Sequence, residues 1–162
     1  MIHIRSYMPD DRAFVLGLAP RLLIGMPPWR DPHQWLTAFQ NWITTSIDQH
    51  GQAAMVFIAE DDHGERLGFV TLSHNAHFTG EQQAYINELA TSEAAEGRGV
   101  GKALIAACEQ WAREQGYRIL ALSTGAANLR ALGFYHHLGF RDEDVKLVKL
   151  LEKPDGDNEA AG

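Results

Sequence analysis

Two hydrophobic periodicities alternate along the chain, and their order predicts its elements. Apolar and polar residues alternate in Ile2-His3-Ile4-Arg5-Ser6-Tyr7, which predicts a first strand. Pro9, Asp10 and Asp11 then predict a helix start, because acidic residues in a first turn complement the helix dipole. Phe14, Val15, Leu18, Leu22 and Leu23 share one face of a helix of about four turns, which Pro20 should bend or split. Gly25 to Pro32, with three prolines, predicts a loop carrying Trp29 and Arg30. A second amphipathic helix is expected from Pro32 to His50, and its stripe of Trp35/Leu36, Phe39, Trp42/Ile43 and Ile47 reads as core packing.

The period then changes. Ala53 to Ala59 is a short apolar run, Asp61-Asp62-His63-Gly64 is turn chemistry, and Leu67 to Leu72 returns as the second arm of a hairpin. After a loop at 75–81, Ala84 to Thr91 predicts another strand. Gly97, Gly99 and Gly101 follow, and a helix is expected from Gly99 to Gln115 with Leu104, Cys108 and Trp111 buried and Gly116 ending it. Tyr117 to Ser123 predicts a strand, and strand–helix–strand at this spacing predicts a parallel pair. Asn128 to Leu138 reads as a last helix packed through Leu129, Leu132, Tyr135 and Leu138, with Phe140 and Val145 to Leu151 as closing strand material. The expected organisation is one α/β domain over residues 1–152 and a disordered acidic tail over 153–162.

Composition narrows the function classes. A net charge of −7 argues against nucleic-acid and anionic-membrane partners. No apolar run approaches the roughly 18 residues of a membrane span. The start of the chain lacks the basic-then-apolar pattern of a secretory signal, and the single cysteine, Cys108, suits a reducing compartment, so a cytoplasmic location is expected. The eight histidines include no H-E-x-x-H motif and join no cysteine set, so no metal site is expected.

The glycine turn carries the first chemistry. Gly97, Gly99 and Gly101 fall where a helix begins, and a helix N-terminus without Cβ atoms in front of it cradles an anion, most often phosphate. An ATP-binding G-x-x-x-x-G-K-[ST] loop fails, because position 96 is Glu96 and position 103 is Ala103. A dinucleotide G-x-G-x-x-G fails, because Lys102 completes the pattern counted from Gly97.

A third pattern fits. Glu88-Leu89-Ala90-Thr91 followed by Glu96-Gly97-Arg98-Gly99-Val100-Gly101-Lys102-Ala103-Leu104 resembles the acyl-CoA signature of the GCN5-related N-acetyltransferase (GNAT) family. Asn128, Ala131, Tyr135, Gly139 and Phe140 match a second family segment, N-x-x-A-x-x-x-Y-x-x-x-G-F, at each defined position. The resemblance covers roughly residues 1–151 in element order. One residue departs from it: the turn opens with Glu96, where the family usually has Gln or Arg, and Arg98 and Lys102 are expected to offset this charge.

The resemblance implies a mixed, mostly antiparallel sheet with helices on both faces and a splayed central strand pair at the acyl-CoA site. It implies acetyl-CoA as co-substrate, no metal, and a homodimer. Main-chain groups of Leu89, Ala90 and Thr91 would pair with the pantetheine arm. The N–H groups of the stretch Gly97, Arg98, Gly99, Val100, Gly101 and Lys102 would hold the pyrophosphate. Asn128 would fix the cofactor's mid-section, or cap a helix, or both. Tyr135 would protonate the departing thiolate, against a plain packing role. Glu88 would act as base, against a solvent-facing strand residue or a charge partner for the substrate, and His74 and His77 are alternative bases. By the same resemblance the acceptor pocket would lie among loop 26–31, loop 74–81 and strand residues 85–88, with Trp29, Phe78 and Tyr85 as an aromatic wall and Glu81 and Glu88 as negative charge. The implied reaction is acetyl transfer to a primary amine of a small molecule by direct attack in a ternary complex. Acetylation of a protein N-terminus or lysine, and a CoA-binding module without turnover, are the alternatives.

Overall fold

The structure, a computed structural model, describes residues 1–151. The expected disordered tail, residues 153–162, lies outside them, as does the last residue of the expected domain. Five strands form one sheet in the order β1 (His3–Ser6), β2 (Ala54–Glu60), β3 (Arg66–Ala76), β4 (Gln82–Thr91) and β5 (Leu120–Leu122). The first three pairings are antiparallel and β4–β5 is parallel, as the strand–helix–strand spacing requires. The helices are α1 (Arg12–Gly17), α2 (Pro32–Asp48), α3 (Val100–Glu114) and α4 (Leu129–His137).

Each face of the sheet has its own core. Strand alternation sends Ile58, Phe69 and Ala90 to one side, where Val15 of α1 and Ile43 of α2 complete the cluster. It sends Ala59, Val70, Leu72 and Ile86 to the other, where Leu104, Ile105, Cys108 and Trp111 of α3 cover them. Phe134, Tyr135 and Leu138 of α4 pack on this second cluster. Residues such as Phe69 and Leu104 are fully buried, each contributing about 1.5–3 kcal/mol.

Pro20 splits the first helical pattern as expected: α1 ends at Gly17, and Ala19–Leu23 continues as a tighter 3-10 turn. Asp11 does more than its place in a first turn suggests. It is fully buried, accepts Nη1 and Nη2 of Arg5 at 2.8 and 2.9 Å, Nε of Arg66 at 2.7 Å and the Met8 N–H at 2.7 Å. Burial alone would raise its pKa, but these donors outweigh it and hold the carboxyl far below the usual range. The cluster ties the start of α1 to β1 and β3.

Three expectations are corrected. The loop predicted over 75–81 is shorter, because β3 runs on to Ala76 with Gln83 Nε2 donating to Asn75 Oδ1 at 2.9 Å across the pair. The last helix exposes Leu129 rather than packing it. Residues 141–151 form no strand, and Val145, Leu147, Leu150 and Leu151 are exposed. The neighbouring edge explains this: β5 is three residues long and offers few ladder groups to a following strand. The parting strand pair β4–β5 therefore stands at the edge of the described sheet rather than at its centre.

Candidate active site

The site begins where β4 and β5 part. Among the described residues the pair is held only at Ala84–Ile86 against Leu120–Leu122, so Asn87 to Thr91 run on with no described strand on that side. The opening forms a cleft of about 1090 Å³. That lies at the upper end for ligand sites and leaves room for more than one small molecule.

A bulge aims the key carboxylate. Thr71 pairs with Glu88 and Leu72 with Ile86, so Asn87 is an extra residue without a β3 partner. On a regular strand, residues 86 and 90 would share a face. Here Ile86 packs in the α3 cluster and Ala90 in the α2 cluster. The extra residue reverses the parity, and Glu88 follows Ala90 to the α2 side.

Glu88 lines the cleft wall yet is 2% exposed. Its N–H donates to Thr71 Oγ1 at 3.0 Å, and the Thr71 hydroxyl donates to its Oε2. Oε1 is buried without a hydrogen-bond partner among the described residues. Burial raises the pKa to about 7, with the Thr71 hydrogen bond pulling the other way. Such a carboxylate is half ionised near neutrality and has one oxygen free to take a proton. The solvent-facing reading of Glu88 is therefore excluded.

The strand also presents main chain to the opening. Glu88 N–H bonds Thr71, and Ser92 N–H bonds Leu67 O at 2.8 Å, both toward β3. By ladder alternation, the main-chain groups of Leu89 and Thr91 point to the open side, and that of Ala90 back to β3.

At the glycine turn, Gly97 and Gly99 have φ of +76° and +81°. A Cβ added at either would meet nothing within 4 Å, so open space lies over both. The N–H groups of Gly97, Gly99, Val100, Gly101 and Lys102 have no partner among the described residues. These are the free donors of an anion cradle at the start of α3. Arg98 stands apart: its N–H bonds Ala95 O at 3.3 Å, and its side chain is not part of the cleft wall.

Glu96 is neutralised, though not by the residues expected. Arg21 Nη2 donates to its Oε1, and Arg130 Nη1 lies 3.4 Å from its Oε2. These guanidiniums, with Arg21 first, hold the Glu96 pKa down, whereas Arg98 and Lys102 make no ion pair with it. Arg21 also donates to Thr91 O at 3.3 Å and so fastens the 3-10 turn to the end of β4.

Asn128 caps α4, its Oδ1 accepting from Ala131 N–H at 3.2 Å. Its Nδ2 donates to Ile24 O at 3.3 Å, which seats the loop before α2 on the start of α4. Gly25 permits this contact, since a Cβ there would sit 2.5 Å from Asn128 Cβ. Tyr135 of α4 lines the cleft, its ring set 5.2 Å from Phe134 and 5.6 Å from Phe140. Burial, with a smaller contribution from nearby Cys108, pushes its phenol up to about 12, so it stays protonated at neutral pH. Cys108 itself is fully buried and its thiol is pushed up to about 12, as befits a core residue.

The expected acceptor wall is largely replaced. Trp29 and Phe78 are exposed and outside the cleft, and Glu81 is held by Arg118 at 2.7 and 2.9 Å. Of that set, only Tyr85 and Glu88 face it. The aromatic surface comes instead from Trp35, Phe39 and Trp42 of α2, residues assigned above to the core. The stripe divides: Leu36, Ile43 and Ile47 face the core, and the three larger rings face the cleft. His74 bonds the Tyr117 hydroxyl and packs 5.1 Å from Trp111, and His77 pairs with Thr79 at 2.7 Å. Neither histidine lines the cleft, which removes both as alternative bases there. Among the described residues, no group of three or more His, Cys, Asp and Glu could hold a metal. No helix among them is long and apolar enough to cross a membrane.

A strand pair that parts beside a helix N-terminus, with a buried carboxylate in the opposite wall, can hold an anionic carrier and a nucleophile in one cleft. The chain belongs to the acetyltransferase (GNAT) family, whose model matches residues 17–140. It is 30% identical over 145 residues to an uncharacterised N-acetyltransferase of Methanocaldococcus jannaschii, covering 88% of this chain and 62% of that protein. The chain thus spans less than two thirds of this relative's length. The fold is similar to that of a putative acetyl transferase from Pyrococcus furiosus, with a TM-score of 0.74, 20% identity, and coverage of 93% of this chain and 100% of that one. It is similar also to the PaiA N-acetyltransferase of Thermoplasma acidophilum in complex with coenzyme A, with a TM-score of 0.74, 19% identity, and coverage of 90% and 93%.

Proposed function

We propose that this chain moves the acetyl group of acetyl-CoA to a primary amine of a small molecule by direct attack in a ternary complex, the catalytic domain being residues 1–152. The observation that carries the reading is Glu88: a buried carboxylate with a pKa raised to about 7 and an unpartnered Oε1, in the wall of the same cleft as the glycine cradle. The cradle suits a pyrophosphate, since its N–H groups are free and the glycines leave space over them. When bound there, acetyl-CoA supplies an acetyl thioester as electrophile and a thiolate as leaving group.

Each residue then has a task. Glu88 Oε1 takes a proton from the acceptor ammonium or from the nitrogen as it attacks. The new C–N bond forms at the thioester carbonyl as the C–S bond breaks. The main-chain groups of Leu89 and the N–H of Thr91, turned to the open side, hold the pantetheine arm, and an N–H of this stretch meets the negative charge gathering on the carbonyl oxygen. The Tyr135 hydroxyl gives its proton to the departing sulfur and regains one from solvent. Lys102 and the free N–H groups from Gly97 to Lys102 bind the pyrophosphate, and Asn128 couples that side of the cleft to the loop before α2. A thiol-release assay with acetyl-CoA and a panel of amines tests the reading. Release is expected only when an amine is present, and it should fall on Glu88→Gln and on Tyr135→Phe. Acetyl-CoA binding without release over the whole panel would leave a binding module instead.

A further inference from the structure

The α2 rings lining the cleft hold information about the acceptor that the catalytic residues do not. Trp35, Phe39 and Trp42 follow each other at helical spacing on one side of α2. Their rings meet edge to face, 5.9 Å apart at 78° and 5.8 Å apart at 86°. The core does not use them, because Leu36, Ile43 and Ile47 fill that side. Trp42 leaves 59% of its surface exposed beside the cleft. Tyr85 on β4 lines the same space, its hydroxyl held 2.7 Å from Ser123 Oγ.

Charge narrows the choice. Among the described residues of the cleft wall, the cations are Arg21, Lys102, Arg130 and Lys146, and the carboxylates are Glu88 and Glu96. Glu96 is already engaged by Arg21 and Arg130. Glu88 alone is left to meet a positive charge. A polyamine or an aminoglycoside would bring several ammonium groups to a wall with one open carboxylate, since Arg21 and Arg130 are paired with Glu96 and Lys102 faces the pyrophosphate cradle. A molecule with a single ammonium meets Glu88 and needs no second counter-charge.

We infer that the acceptor is a primary monoamine borne on an aromatic or bulky apolar body, an arylalkylamine being the simplest case, with its body on Trp35, Phe39 and Trp42 and its nitrogen at Glu88. The inference rests on the acetyl-transfer reading of the same cleft. Trp35, Phe39 and Trp42 are then specificity-determining residues. The aromatic body is recognised by edge and face contacts with these rings.

The test has a turnover arm and a binding arm. In the first, phenethylamine, spermidine, an aminoglycoside and a peptide with a free N-terminus are compared with acetyl-CoA. The kcat/KM for phenethylamine should exceed that for spermidine by about 100-fold or more. Trp42→Ala, at a half-exposed position and checked as folded by circular dichroism, and the milder Phe39→Leu should each raise the phenethylamine KM about tenfold with kcat little changed. A preference for spermidine, the aminoglycoside or the peptide would overturn the inference, as would an unchanged KM in both variants. The second arm measures phenethylamine and spermidine binding by calorimetry in the presence of CoA, where no acetyl group can move. Phenethylamine binding that is weakened by Trp42→Ala supports the acceptor class even if no turnover is found, in which case only the acetyl-transfer reading fails. Equal or absent binding of the two amines overturns the acceptor class.

Discussion

Replacing Glu88 by Gln changes two pH profiles, and their sizes follow from the same burial. The carboxyl pKa rises from 4.5 to about 7 because the strand bulge turns it into a nearly closed wall. A base of that pKa is about half ionised at pH 7 and about one-tenth ionised at pH 6. With saturating amine and acetyl-CoA, kcat should therefore fall about tenfold per unit below pH 7. In Glu88→Gln this limb should vanish and kcat should drop by about 10²–10⁴-fold, the usual range for a lost base. Stability moves with the opposite sense. The folded pKa is the higher one, so between about pH 4.5 and 7 the unfolded chain holds fewer protons than the folded chain. Folding stability should fall through that window and level off above it, by about 3 kcal/mol in all for a shift of this order. The glutamine variant lacks this loss. Urea unfolding near pH 5 and near pH 8 should show wild type weakening between the two and the variant weakening less. A variant that kept the limb near pH 7, or a wild type with its limb in the ordinary carboxylate range, would refute the assignment of Glu88 as base.

Three other outcomes follow from the geometry. Tyr135→Phe should lower kcat by about 100-fold or more and leave CoA affinity, read by calorimetry, unchanged. Gly101→Trp should abolish acetyl-CoA binding while circular dichroism still reports a folded chain, because a Cβ there already lies 3.1 Å from the Phe134 ring and a bulky side chain must displace it or enter the cleft. Asp11→Asn should cost about 1–3 kcal/mol in urea unfolding, since it removes the buried charge that Arg5 and Arg66 share, while both guanidiniums keep part of their surface in water and Arg5 keeps Glu60 at 2.8 Å. Because the folded Asp11 pKa is depressed, its contribution is complete above the usual carboxylate range and is lost as pH falls through and below it, so the variant should also show a weaker acid transition.

The element order was legible because the period changes sharply at each boundary. Alternation in residues 2–7, a three-to-four spacing in 32–50 and glycines at 97, 99 and 101 each leave few choices. The glycine cradle and the Asn128–Phe140 segment were legible for a related reason: their chemistry is local in the chain. What lay beyond reach depends on distant partners. Helical spacing in α2 says that Trp35 and Ile43 are both apolar, but only the packed sheet decides that one meets the cleft and the other the core. The burial of Glu88 follows from one extra residue at Asn87, which no local pattern marks. Arg21 as the partner of Glu96 joins residues 75 apart in sequence, so spacing around the glycine turn pointed to nearer cations. The apolar residues from Val145 to Leu151 resemble a strand in composition, yet a three-residue β5 gives them little to pair with.

The most direct test follows both products of one turnover. The chain is mixed with labelled acetyl-CoA, with and without an arylalkyl monoamine, while free thiol is titrated and both protein and amine are weighed by mass spectrometry. Direct transfer predicts thiol release only with the amine, matched mole for mole by N-acetylated amine, and no acetyl group on the protein. An acetylated protein formed without amine would contradict direct attack. Acetyl-CoA bound but never cleaved, across monoamines, polyamines and peptides alike, would contradict the proposed activity itself.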